Sequence, residues 1–258
     1  MKSYDNIKAI ILDKDGVFVD FHQLWMRIIA ARAQILAEYT TAKWEDFNYV
    51  RTMCIRAMGV DEEDESIDAD SPVCMPADMV RMAVTTGLYL AVNHLEPTYT
   101  WANAIQDVRK SDKDLADQLN MEDMIIAVEG SIEKIKAISK AGYKLALYTS
   151  DSDKNSQKTI EKFSINGIFE TSICGKYKTV DLYKSICKQL KVKESETIFI
   201  TDSPVDARVG REAGAHVIAV MSGVLREADK EANAEYVDDF IPSLAKLDLK
   251  KIKQATTV

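Results

Sequence analysis

Near its start the chain reads Ile7-Lys8-Ala9-Ile10-Ile11-Leu12-Asp13-Lys14-Asp15-Gly16-Val17, an apolar run followed by two aspartates. The apolar run predicts a buried strand over residues 7–12. Because side chains two residues apart point the same way in an extended backbone, Asp13 and Asp15 are expected to face one pocket. Gly16 permits a sharp turn or a close approach to a ligand. Taken alone, the motif fits a turn as well as a catalytic or metal site, since Asp and Gly are common turn residues.

The composition restricts the possible partners of the protein. The formal net charge of −8 argues against a nucleic-acid partner. No apolar run reaches the roughly 18 residues of a membrane span, so no membrane partner is expected. The N-terminus passes into a strand-like segment without a signal-peptide pattern, which favours a cytoplasmic location. The cysteines form no Cys-x-x-Cys pair and are expected to be reduced and buried; they are Cys54, Cys74, Cys174 and Cys187.

Beyond residue 125 the sequence alternates between strand and helix patterns. Apolar residues at helical spacing predict helices near 132–138, 155–163, 179–190 and 205–213. Short apolar runs between them predict strands near 143–149, 171–174, 196–201 and 216–220. Such alternation is typical of an α/β fold, a doubly wound parallel sheet covered by helices on both faces.

Residues 21–124 show only helical periodicity, in four stretches near 24–35, 44–55, 76–91 and 99–119. The chain is therefore expected to leave the α/β layer after its first strand, form an all-α insert, and return near Ile125. The predicted domains are a core of residues 1–20 and 125–258 and an insert of residues 21–124. The acidic segments 61–65 and 68–70 of the insert are expected to form a solvated loop.

Polar residues follow several of the predicted core strands. Ligands of open parallel sheets bind beyond the carboxyl ends of the strands. Carboxylate oxygens suit Mg²⁺, which completes its shell with water and substrate phosphate. The residues at these ends, with the lysines before the 179–190 helix, are Asp13, Asp15, Thr149, Ser150, Lys176, Lys178, Asp202 and Asp206.

These motifs, in this order, resemble those of the haloacid dehalogenase (HAD) superfamily. The resemblance rests on residues 13–20, on Leu147-Tyr148-Thr149-Ser150, on the lysine before the 179–190 helix, and on residues 199–206 with Ala213-Gly214 behind them. An all-helical insert after the first motif is similar to the cap of the subclass that contains phosphoglycolate phosphatase. The resemblance implies a Rossmann-like core with a mobile cap that closes over a small substrate.

The resemblance also implies roles for individual residues. Asp13 would be the nucleophile that forms an aspartyl-phosphate. Asp15 would protonate the leaving alkoxide and then activate the water. Thr149 would donate a hydrogen bond to a phosphoryl oxygen, or Ser150 would do so if the strand ends one residue later. The lysine would balance the charge around Asp13 and the phosphate.

A Mg²⁺ ion is implied at the same strand ends, with Asp13, the backbone carbonyl of Asp15, Asp202 and Asp206 around it. The chain departs from the family's usual Lys-Pro-x-Pro, because here the text is Gly175-Lys176-Tyr177-Lys178-Thr179. Lys178 lies directly before the predicted helix and is preferred over Lys176 as the catalytic lysine.

Asp15 discriminates between reactions within the family, because a dehalogenase has no alkoxide to protonate and lacks this aspartate. The expected activity is therefore hydrolysis of a small phosphorylated metabolite. Three alternatives stay open: a phosphotransferase or phosphomutase of the same superfamily, a phosphoacceptor, and a non-catalytic binding module. Candidate substrate contacts in the insert are His22, Arg27 and Arg51.

Overall fold

The computed structural model describes residues 1–41, 44–61, 66–67, 69, 71–75 and 77–254. It divides the chain into two compact units. The first consists of Met1–Phe21 with Ile125–Val258, and the second of His22–Met124. The chain thus leaves the first unit after Phe21 and returns to it at Ile125.

The strands, in chain order, are β1 (Tyr4–Ile7), β2 (Ala9–Leu12), β3 (Val60–Asp61), β4 (Ser66–Ile67), β5 (Lys144–Tyr148), β6 (Thr171–Ile173), β7 (Thr197–Thr201), β8 (His216–Val220), β9 (Asp239–Ile241) and β10 (Ile252–Gln254). The α-helices are α1 (Phe21–Thr40), α2 (Trp44–Ala57), α3 (Ala77–Leu95), α4 (Trp101–Gln118), α5 (Met121–Met124), α6 (Ser131–Lys140), α7 (Asp153–Lys162), α8 (Val180–Leu190), α9 (Pro204–Ala213) and α10 (Lys230–Asn233).

A six-stranded parallel sheet in the order β6-β5-β2-β7-β8-β9 forms the centre of the first unit. Leu12, the last residue of β2, is in register with Leu147 of β5 and Ile200 of β7. The backbone N–H of Asp13 donates to the carbonyl of Ile200 at 3.0 Å. The carboxyl ends of β2, β5 and β7 therefore lie side by side, at the point where the strand order reverses direction.

Both faces of the central strand are covered by protein. All four residues of β2 are fully buried, although successive side chains point to opposite faces. On one face three rings pack α8 onto the sheet, with centroids 5.4 to 6.3 Å apart: Tyr148, Tyr183 and Phe199. Continuous apolar strands buried on both faces are the property of a helix-covered parallel sheet. The predicted α/β core is confirmed.

The first strand is shorter than predicted. Residues 9–12 belong to the large sheet, whereas Ile7 ends β1, which pairs in parallel with β10 through Tyr4 and Ile252. Asn6 has a left-handed backbone, φ 61°, a region that Asn enters more readily than most residues. Asn6 lies within β1 and bends that strand where its pairing with β10 shifts register, between Tyr4 and Ile7. An apolar run does not reveal such a bend, because Ile7 is buried in either arrangement.

The second unit is mainly helical, with α3 packed against both α2 and α4. The insert is not entirely α-helical, however, since β3 and β4 form a two-residue antiparallel pair in which Val60 is opposite Ile67. Strands this short show no alternation of apolar and polar residues, so the sequence pattern could not predict them. Residues 62–65, 68 and 70 of the predicted acidic loop lie outside the described residues, as does Pro76 at the predicted start of α3.

The two segments that connect the insert to the core are hydrogen-bonded to each other. Asp20 N donates to Ile126 O at 2.8 Å, and Val128 N donates to Phe18 O at 3.1 Å. Between them Val19 and Ala127 form an antiparallel bridge. The outgoing and returning chains thus run side by side where they meet the core.

Two further expectations concern cysteines and membranes. Cys54, Cys174 and Cys187 are buried, as expected, but Cys74 is only half-buried. The described helices include none that is long and apolar enough to cross a membrane.

Candidate active site

Three adjacent strands each deliver one polar side chain to the same edge of the sheet. Asp13 follows β2, Thr149 follows β5, and Asp202 follows β7. All three side chains are buried although they are polar. Buried polar groups are retained when they are paired or when they serve a site. The strand ends therefore form the candidate active site.

Lys178 connects two carboxylates at this edge. Its Nζ lies 2.7 Å from Asp13 Oδ2 and 2.5 Å from Asp206 Oδ2. Thr201 Oγ1 donates a longer hydrogen bond, 3.4 Å, to Asp206 Oδ2. Lys176 is exposed to solvent. Of the two candidate lysines, the structure brings Lys178 to Asp13.

The position of Lys178 follows from how α8 begins. Thr179 caps the helix by accepting a hydrogen bond from Leu182 N. The hydroxyl of Tyr148 accepts a hydrogen bond from Thr179 N at 2.7 Å, which ties the helix start to the end of β5. Lys178 Nζ consequently lies over the Tyr148 ring, 6.0 Å from its centroid.

The pKa values in this cluster reflect burial and charge. Burial raises the pKa of Asp13 to about 6, although Lys178 opposes the shift. Asp13 therefore stays ionised at neutral pH. Burial disfavours the charge on Lys178, but the carboxylates of Asp13 and Asp206 raise its pKa above the ordinary value. At neutral pH the nucleophile candidate is thus an anion beside a fixed cation.

Asp202 is packed between two glycines. Val224 N donates to Asp202 Oδ2 at 3.0 Å, and a Cβ atom on Gly16 or on Gly223 would overlap the Asp202 carboxylate. The loop after β8 is held in place by Ser222 Oγ, which donates to Gly16 O at 2.6 Å. Burial and the nearby Asp13 charge raise the pKa of Asp202 well above its ordinary value.

Asp15 does not contact Lys178. Its Oδ1 lies 2.6 Å from the Nζ of Lys14, which is also 3.1 Å from Asp151 Oδ2. Sequence reasoning missed Lys14, Asp151 and the Ser222–Gly223 loop. The available signals were a charged residue between the two motif aspartates and a polar residue two places after Thr149.

The hydroxyl candidates differ in burial. Thr149 is buried, and its Oγ1 accepts a hydrogen bond from Asp151 N at 3.2 Å. An oxygen that accepts in this way keeps its own proton for donation. Ser150 is exposed. Thr149 is therefore the better placed of the two to donate to a phosphoryl oxygen.

The weaker substrate candidates belong to the other unit. His22 and Arg27 lie on α1, where His22 is half-buried and Arg27 exposed. Arg51 lies on α2 and is half-buried.

The charges at the strand ends fit a divalent cation. Among the described residues here, five carboxylates face two lysine ammonium groups: Asp13, Asp15, Asp151, Asp202 and Asp206 against Lys14 and Lys178. Burial is the main cause of the raised pKa values of Asp13 and Asp202, and neighbouring carboxylates add to it. The donors are hard oxygens, as Mg²⁺ requires.

No three His, Cys, Asp or Glu side chains within the described ranges form a complete ligand set by themselves. Mg²⁺ commonly needs only one or two protein carboxylates, together with waters and substrate phosphate. Asp13 and Asp202 satisfy that requirement. Asp206 Oδ2 is already paired with Lys178 Nζ at 2.5 Å.

A family model described as haloacid dehalogenase-like hydrolase matches residues 7–214. No curated protein matches the chain at a significant level.

Solved structures share the fold at low sequence identity. A predicted phosphoglycolate phosphatase from Haemophilus somnus is 14% identical with a TM-score of 0.63, covering 93% of this chain and 95% of that one. A candidate β-phosphoglucomutase from Thermotoga maritima is 19% identical with a TM-score of 0.59, covering 93% and 96%. A HAD family hydrolase from Deinococcus radiodurans R1, with bound phosphate and sodium, is 18% identical with a TM-score of 0.59, covering 95% and 94%.

Proposed function

Because the chain belongs to the haloacid dehalogenase-like hydrolase family, we propose that it is a Mg²⁺-dependent phosphatase that hydrolyses a small phosphomonoester through an aspartyl-phosphate. The observation that carries the proposal is the buried Asp13 carboxylate, 2.7 Å from Lys178, with a second aspartate two residues along. The expected substrate is a phosphorylated metabolite, and neither nucleic acid nor a membrane is proposed as a partner.

Each residue of the site has its own role in the proposed reaction. Asp13 attacks phosphorus as a carboxylate, while Lys178 and Thr149 hold phosphoryl oxygens and stabilise their charge. Asp15 gives its proton to the departing alkoxide, then takes a proton from the water that hydrolyses the aspartyl-phosphate. Asp13, the Asp15 carbonyl and Asp202 would hold Mg²⁺, which would supply positive charge next to the transferred group.

Replacing the nucleophile provides the main test. Asp13→Asn is expected to reduce phosphate release from p-nitrophenyl phosphate to background, since an amide does not attack phosphorus. The variant should fold, because Lys178 keeps Asp206 as a partner. The measurements are phosphate release with Mg²⁺ and the thermal unfolding midpoint. Turnover retained by a folded Asp13→Asn protein would contradict the assignment of Asp13.

Metal dependence is tested on the unmodified protein. Dialysis against EDTA should abolish phosphate release, and added Mg²⁺ should restore it, because the buried carboxylates exceed the lysine charges. The control is Ca²⁺ at the same concentration, whose larger shell and looser geometry suit this chemistry poorly. Full activity in EDTA would rule out a required divalent cation.

A phosphomutase is the second candidate, motivated by the shared fold with the Thermotoga maritima protein. In that reaction Asp13 would return the phosphoryl group to a sugar instead of to water. Phosphorus NMR of sugar phosphates incubated with enzyme and Mg²⁺ distinguishes the two. Steady growth of inorganic phosphate supports the phosphatase, whereas an isomeric sugar phosphate without free phosphate supports the mutase.

A further inference from the structure

The side chain of Lys14 is almost completely buried between two carboxylates. It is 2% exposed, and its Nζ lies 2.6 Å from Asp15 Oδ1 and 3.1 Å from Asp151 Oδ2. Burying an ammonium group is unfavourable unless it is paired on several sides. This lysine stands between the nucleophile candidate and the proposed general acid in the sequence, yet the reaction described above assigns it no step.

Asp151 is itself held firmly at the start of α7. Its Oδ1 accepts hydrogen bonds from Ser152 N at 2.7 Å and from Asn155 Nδ2 at 2.9 Å. Its backbone N–H donates to Thr149 Oγ1 at 3.2 Å. Asp151 therefore reaches Lys14 with its second oxygen from a position that the end of β5 and the first turn of α7 determine.

The same chain of contacts ends on one oxygen of Asp15. Lys14 engages Oδ1, while Oδ2 accepts no hydrogen bond from any described residue. The Asp15 side chain is 22% exposed, in contrast to its buried neighbours. One carboxylate oxygen is thus anchored by Lys14, and the other has no hydrogen-bond donor among the described residues.

We propose that Lys14 and Asp151 are positioning residues that hold Asp15 Oδ1 so that Oδ2 carries the proton in the reaction. The proposal rests on the proposed function, because Asp15 needs orientation only if it protonates a leaving group. In that step Asp13 forms a bond to phosphorus and the bond from phosphorus to the leaving oxygen breaks. The proton on Asp15 Oδ2 moves to that oxygen, which leaves Asp15 as a carboxylate beside the Lys14 ammonium.

Asp151→Asn tests this arrangement with little other change. Asparagine keeps the oxygen that accepts from Ser152 and Asn155, but it puts an amide N–H₂ where Asp151 Oδ2 faces Lys14. The amide N–H₂ and the Lys14 ammonium group are then both hydrogen-bond donors, so Lys14 loses its acceptor at position 151. Asp153→Asn is the matched control, since it removes an exposed charge from the same helix turn.

The measurement compares two similar substrates, p-nitrophenyl phosphate and phenyl phosphate, with Mg²⁺. The nitro group lets the phenolate leave without a proton, whereas phenolate itself departs more readily when protonated. For Asp151→Asn we expect kcat/KM for phenyl phosphate to fall by at least about tenfold and that for p-nitrophenyl phosphate by less than about threefold. Asp153→Asn should leave both values unchanged. A general structural defect would instead lower kcat/KM equally for both substrates.

Lys14→Met is a second variant, because methionine fills the same narrow space without the charge. It should show the same selective loss of kcat/KM for phenyl phosphate. Mg²⁺ should raise its thermal unfolding midpoint by as much as it raises that of the original protein. The proposal would be overturned if, in both variants, kcat/KM fell equally for the two substrates or fell for neither. If the unmodified protein hydrolyses neither substrate with Mg²⁺, the proposed function itself fails, and this inference with it.

Discussion

The buried ammonium group of Lys178 balances two of the negative charges in the candidate site. Its contacts of 2.7 Å with Asp13 and 2.5 Å with Asp206 are made below the surface, where opposite charges attract more strongly than in water. Two carboxylates would repel each other there without it. Lys178 therefore pairs with both carboxylates, and the proposed function gives it a chemical role as well.

Removing this cation should affect stability and activity together. Lys178→Met leaves Asp13 and Asp206 buried without their partner, which is expected to lower the free energy of unfolding by about 3 kcal/mol. Phosphate release should fall by about 100-fold or more, because the transferred charge loses a fixed donor. Urea unfolding without Mg²⁺ and assays with p-nitrophenyl phosphate measure the two effects.

Lys176→Met is the matched control for that variant. Lys176 is exposed two residues earlier, so its replacement should change neither quantity appreciably. A comparable loss of activity in Lys176→Met would show that the wrong lysine has been assigned. The sequence reduced the choice to these two residues, and only burial and the distance to Asp13 separate them.

At the level of elements, the turn after β2 depends on the absence of a side chain at residue 16. Gly16 has a positive φ of 76°, and a Cβ atom there would overlap the carboxylate of Asp202 at the end of β7. Gly167 has a similar φ of 74°, but a Cβ atom there meets nothing within 4 Å. Substitutions at these two glycines therefore distinguish the effect of backbone strain from the effect of a collision with the candidate metal ligand.

Alanine at either position should cost about 1 kcal/mol of stability from the positive φ. Only Gly16→Ala should also weaken Mg²⁺ binding, by about tenfold or more, because it displaces Asp202. Isothermal titration with MgCl₂ and urea unfolding measure the two quantities. Unchanged Mg²⁺ affinity in Gly16→Ala would argue against Asp202 as a ligand.

Local patterns predicted most of the core elements, because apolar periodicity reflects burial directly. The helices α6 to α9 and the strands β5 to β8 lie within a few residues of their predicted bounds. The pattern could not show contacts between distant segments. Ser222 meets Gly16 across more than two hundred residues, and Lys14 meets Asp151 only because β2 and β5 are neighbours. The strand order determines such pairs.

For the molecule as a whole, Asp238 connects several segments of the first unit. Its Oδ1 lies 2.8 Å from Lys2 Nζ and 2.6 Å from Arg211 Nη2, and its Oδ2 accepts from Val217 N at 2.8 Å. Burial raises the pKa of Asp238, but contacts with His216, Lys2, Val217 and Arg211 outweigh it and lower the pKa well below its ordinary value.

This lowered pKa gives stability a defined pH dependence. A carboxyl whose pKa is lower in the folded protein stabilises it above the unfolded pKa of about 3.9. That stability disappears as the pH falls through the folded pKa. Asp238→Asn should therefore lower the free energy of unfolding by about 2 kcal/mol at neutral pH. In acid, the difference in this free energy between the variant and the original protein should become smaller.

Urea unfolding at about pH 7 and about pH 3 measures this difference. Asp5→Asn is the control, because the pair of Asp5 with Lys253 is exposed and its loss should change stability little at either pH. A difference for Asp238→Asn that stayed constant between the two pH values would exclude ionisation of Asp238 as its cause.

The bridge between Val19 and Ala127 has a consequence for how this protein can diversify. Since the two connecting segments are already joined by hydrogen bonds at the core, everything between them is topologically one long surface loop. The entropy of closing such a loop rises only with the logarithm of its length. Whole segments could therefore be lengthened, exchanged or deleted there while the arrangement of the strand ends in the core is preserved.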